Sequence, residues 1–146
     1  MDMLAHLKDI YAQYSHDVKE LRQNASVFDG MFGMGNDPRD DRLHDVFYDY
    51  VGKWAELFLQ QNPSGEDVAA AVRWILEAAA LHRNEDVYWY YFAAQIHVKP
   101  MIPLLAAADC KAIRDWYQEH YPRIERMPVQ RDVYRLLCRS AKQNTR

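Results

Sequence analysis

The sequence predicts an all-α fold, a compact bundle of about six helices. Three observations carry that expectation. Apolar residues recur at steps of three and four in successive segments. No segment alternates with period two for long enough to make a convincing strand. Proline, asparagine, serine and aspartate stand where such helices should start and stop.

The first helix carries Leu4, Leu7, Tyr11, Tyr14, Val18, Leu21 and Ala25, a narrow stripe suited to packing on another helix. Docking on its own bundle is the primary use of that stripe, and self-association the other. A loop, "FDGMFGMG", follows at residues 28–35. It lacks the Lys and Ser/Thr of a phosphate-cradling P-loop, and its glycine order is not that of a dinucleotide site. It also lacks the acids of a calcium loop. Met31, Phe32 and Met34 make it apolar, so its expected role is to plug one end of the bundle.

In the second helix, Asp37 caps, Pro38 takes the first turn and Asp40 complements the dipole. Its expected core stripe is Leu43, Val46, Phe47, Tyr50, Val51, Trp54, Leu57 and Phe58, ending before Asn62-Pro63. Ser64 with Asp67 opens a third helix, apolar on nearly every side from Val68 to Leu81. Asn84, Glu85 and Asp86 cap a fourth, "VYWYYFAAQIHV", that Pro100 and Pro103 kink or end. Asp109 caps a fifth, with Ile113, Trp116, Tyr117 and Tyr121 inward. Pro128 opens a sixth, with Val129, Val133, Leu136 and Leu137 inward. Short connections make the first four helices roughly up-and-down, with the third and fourth central.

A chain of 146 residues with 49% hydrophobic and 27% charged content suits a single helical domain over residues 1–146. Ten Tyr, four Trp and five Phe imply an aromatic-rich core. Two cysteines without metal-type spacing fit a reducing compartment. The charged start offers no secretory apolar region, and no apolar run approaches a membrane span. A cytoplasmic protein without a membrane segment is therefore expected.

Two constellations bear on function. Asp41, His44 and Asp45 share, with Tyr48, a helix face away from the core stripe, with His44 at its flank. In an up-and-down bundle they fall at the same pole as His82, Glu85 and Asp86, beneath the glycine loop. Histidines among carboxylates suit a small molecule or a divalent metal, with or without catalysis. They form no complete metal motif, and acids also gather at helix starts to satisfy the dipole. His6, His16 and His120 sit among charges, and His97 lies on an aromatic segment, so solvation and core packing account for those four.

The second constellation is basic. Net charge is −3, but residues 110–146 hold nine Lys+Arg against four Asp+Glu. Arg131, Arg135, Arg139 and Lys142 fall at i, i+4, i+8 and i+11, a cationic stripe along the last helix. Without a nucleic-acid motif, and with an acidic chain overall, the stripe points to a protein partner rather than nucleic acid. No nucleophile–base–orienter set is present in the sequence, and no cofactor is expected other than the divalent metal that the His44 and His82 pole could hold. The leading expectation is a non-catalytic interaction or regulatory module that binds another protein through an exposed helix face. The alternative is the ligand or metal pole around His44 and His82.

Overall fold

The computed structural model describes the backbone of residues 2–32, 38–85, 87–121 and 128–143, with side chains described outside 22, 24–40 and 143. It is all-α. The described residues form α1 (Met3–Phe32), α2 (Pro38–Gln60), α3 (Gly65–Leu81), α4 (Tyr88–Ala94), α5 (Ala107–His120) and α6 (Pro128–Gln143). Two 3-10 turns, Gln95–Val98 and Ile102–Leu104, lie between α4 and α5. The chain divides into two compact units, Met1–Trp54 and Ala55–Arg146, and the boundary falls within the α2 segment.

In the first unit α1 and α2 form an antiparallel pair. Leu7, Tyr11, Tyr14 and Val18 are buried, as the narrow stripe predicts, and Phe47, Val51 and Trp54 are buried on α2. Tyr14 stacks on Phe47 with ring centroids 4.2 Å apart, and Tyr11 meets the same ring edge-on at 4.9 Å. Near the other end of the pair, the Trp54 indole donates to the Met3 carbonyl at 2.7 Å. This bond lets a large ring enter the core without stranding its N–H.

The first helix runs on through Phe28 to Phe32, so Gly30 is helical rather than part of a loop; Gly33 and Gly35 lie outside the described residues. The second helix's stripe is also narrower than its apolar pattern. Val46, Tyr50 and Leu57 are exposed, because the buried side of a helix covers only part of its circumference.

The second unit is built around α3, which packs against α4, α5 and both 3-10 turns. Its start follows the capping expectation: the Asp67 amide donates to the Ser64 hydroxyl oxygen at 3.1 Å. Just before it, Asn62 adopts φ 51, the left-handed turn that ends α2 ahead of Pro63. Val68, Val72, Ile75, Leu76 and Ala79 are buried, whereas Leu81 at the end of α3 is 81% exposed. α5 and α6 pack on each other, and Cys110, Ile113 and Tyr117 of α5 and Val133 and Leu137 of α6 are buried.

The fourth helix departs from the expected single element. It is α-helical for seven residues and then tightens into the 3-10 turn at Gln95–Val98. Pro100 has no N–H to give the Ile96 carbonyl, which accepts instead from Lys99 at 3.3 Å, the shorter 3-10 step. Nor do the expected side-chain caps of α4 and α5 form. Val87 and Ala106 occupy those positions without a side-chain cap, and Asp109 stands inside the first turn of α5, bonded to Arg73 at 3.1 Å. A carboxylate there still meets the positive end of the helix, so little is lost by leaving the cap.

Candidate functional site

The histidines of the expected pole each have a partner within their own unit. His44 turns inward from α2. It is 9% exposed, and its Nδ1 lies 2.5 Å from the Tyr14 hydroxyl, with the two rings edge-on. Its helix neighbours Asp41 and Asp45 are exposed. The three side chains therefore divide between core and solvent. His82, in the second unit, pairs with Glu85 through Nδ1 and Oε2 and rests edge-on against the Tyr91 ring. Asp86 lies outside the described residues.

Among the described residues, three ligand-type atoms approach within 4.8 Å at His16, Asp17 and Glu20 on α1. His16 and Glu20 are one helical turn apart, with Nε2 and Oε2 at 3.4 Å and both side chains largely in solvent. Such a group forms readily on any helix with this spacing.

The second unit contains a buried polar chain that the sequence did not signal. The Tyr117 hydroxyl donates to Gln95 Oε1 at 2.9 Å, and Gln95 Nε2 donates to the Tyr121 hydroxyl at 3.2 Å. Tyr121 in turn donates to the Leu76 carbonyl at 3.2 Å. Gln95 is fully buried, and each link is donor to acceptor in one direction. Burial pushes the Tyr121 hydroxyl up to about 12, against the opposing pull of its Gln95 bond, and burial raises Tyr117 further. Both phenols thus remain donors at neutral pH, and the chain fixes the 3-10 turn to α3 and α5. Burial, helped by the Asp109 carboxylate, likewise raises the Cys110 thiol, making it a poor nucleophile.

The basic stripe lies wholly on α6. Arg135, Arg139 and Lys142 are exposed, while Arg131 is half-buried with its Nε 3.7 Å from Asp132. Val133, Leu137 and Ala141 occupy the opposite, buried side. Between Pro128 and Gln143, Asp132 is the lone acid against four cations.

One further feature escaped the sequence reading. In the first unit a groove of about 260 Å³ runs between α1 and α2. Its apolar lining is Ile10, Tyr14, Leu43, Val46, Phe47 and Tyr50, and its α1 edge carries His6, Asp9, Gln13 and Asp17. The signal was the excess width of α2's apolar stripe, beyond what one neighbouring helix covers. No helix among the described residues is long and apolar enough to cross a membrane. Compared with protein-family models, curated proteins and solved structures, the chain matches none.

Proposed function

We propose that this chain is a non-catalytic interaction module that binds an acidic surface of another protein through the exposed face of α6. The observation that carries the reading is the division of that helix. One side is held in the second unit by Val133, Leu137 and Ala141, and the other presents Arg135, Arg139 and Lys142 to solvent. A helix anchored in this way offers cations at fixed spacing without unfolding, and guanidinium groups bind carboxylates in a defined, two-pronged geometry. Such charges contribute mainly to encounter rate and partner choice.

The test is a pull-down from native lysate with the wild type and with Arg131, Arg135 and Arg139 replaced by alanine. The reading expects at least one protein captured by the wild type to be lost with the triple variant, with retention falling as salt rises. An unchanged set of captured proteins would remove the α6 face from the account.

A further inference from the structure

We infer that the groove between α1 and α2 is a second interaction surface, shaped for a cationic amphipathic helix of a partner protein. Its apolar wall is accessible: Val46 is 41% and Tyr50 54% exposed, one turn apart on α2. Behind them Tyr14 and Phe47 are buried and stacked, a rigid floor for an inserted side chain. The opposite edge, on α1, carries Asp9 and Asp17 two turns apart, with Glu20 one turn beyond. No lysine or arginine stands on that edge; Lys8 and Lys19 project from a different side of α1, and the exposed Arg42 and Lys53 of α2 lie beyond Val46 and Tyr50, outside the groove lining. The whole first unit, residues 1–54, holds six Lys+Arg against ten Asp+Glu, a net −4.

Size and charge together select the occupant. His6 to Asp17 spans ~16 Å of α1 at 1.5 Å per residue, about three turns of a guest helix. A helix placing apolar residues at i and i+3 or i+4 fills the floor between Tyr50 and Ile10. Lys or Arg on its flank, two turns apart, then meets Asp9 and Asp17. Pairing this groove with a second copy about a two-fold axis would repeat the same acidic edge, Asp9 to Glu20, in one interface, and like charges oppose that. Nor is α6 of another copy a match, because its apolar side is already buried against α5.

The probes are two labelled 18-residue peptides with one leucine face in common, one bearing lysines and the other glutamates on the remaining positions. Fluorescence anisotropy should show the lysine peptide binding the full chain at least about tenfold more tightly than the glutamate peptide. Val46→Lys with Tyr50→Lys should abolish binding, and Asp9→Lys with Asp17→Lys should weaken it about tenfold. All four positions are on the surface of the unit, and unchanged circular dichroism would show that the variants fold. Arg135→Glu with Arg139→Glu should leave peptide binding intact, so failure at the groove and failure at α6 are read separately. Equal binding of both peptides, no binding of either, or binding indifferent to Val46 and Tyr50 would overturn the inference. A wild-type dimer in sedimentation that Tyr50→Lys dissolves would also overturn it, by assigning the groove to a second copy.

Discussion

At the scale of single residues, the informative side chains are buried polar groups whose partners define what they do. His44 is the clearest case. Its sequence neighbours, Asp41 and Asp45, suggested a ligand, but the imidazole reaches Tyr14 within the α1–α2 core. Tyr14→Phe keeps the stacking on Phe47 and removes only the hydroxyl, so it should cost about 1–3 kcal/mol in urea unfolding, the cost of withdrawing a buried partner. Tyr121 makes a prediction about pH. An unfolded tyrosine releases its proton near pH ~10, whereas the folded Tyr121 holds it to about 12. Between those values the unfolded state binds fewer protons, so stability is fully present below ~10 and is lost as pH rises through about 12. Melting temperature measured from pH ~8 to ~12 should fall along the upper part of that range. The fall should be shallower in Tyr121→Phe, although that variant starts lower for want of the Leu76 bond.

At the scale of elements, some local signals hold and others do not: the Ser64 cap of α3 forms, whereas the side-chain caps expected of α4 and α5 do not. Ser64 caps α3 as its spacing with Asp67 requires, so Ser64→Ala should lower stability by about 1 kcal/mol in chemical denaturation. Pro38 and Pro128 stand first in α2 and α6 because a first-turn residue needs no amide hydrogen. Signals that depend on tertiary context were not legible. Which apolar residues of α2 are covered depends on how many neighbours it has, and a stripe from Leu43 to Phe58 contains no record of that. The 3-10 turn at Gln95–Val98 follows from Pro100, but the change of pitch begins five positions before the proline. Gln95 itself reads as an ordinary polar residue until Tyr117 and Tyr121 are brought to it from α5 and the residue after it. The exposed members of the apolar stripes should be dispensable for folding. Leu81→Lys and Tyr50→Lys should each shift stability by no more than about 0.5 kcal/mol, measured by thermal unfolding.

At the scale of the whole molecule, the all-α class was legible because helical periodicity and caps repeat along the chain. The candidate site was legible only in part: the basic stripe of α6 follows from spacing alone, while the α1–α2 groove required knowing what each helix leaves uncovered. The two surfaces differ in sign. A cationic face on α6 and an acidic-edged groove on α1 and α2 would let one chain hold two partners of opposite charge, an adaptor's arrangement. If each surface holds its partner through charges near solvent, raising salt should weaken capture through both. The most direct measurement is site-specific photo-crosslinking in native lysate, with a photoreactive residue at Arg139 on α6 or, as control, at Glu66 on the exposed start of α3. The account predicts a discrete protein adduct from position 139 that is absent from position 66. No adduct from position 139, or the same adduct from both positions, would contradict it.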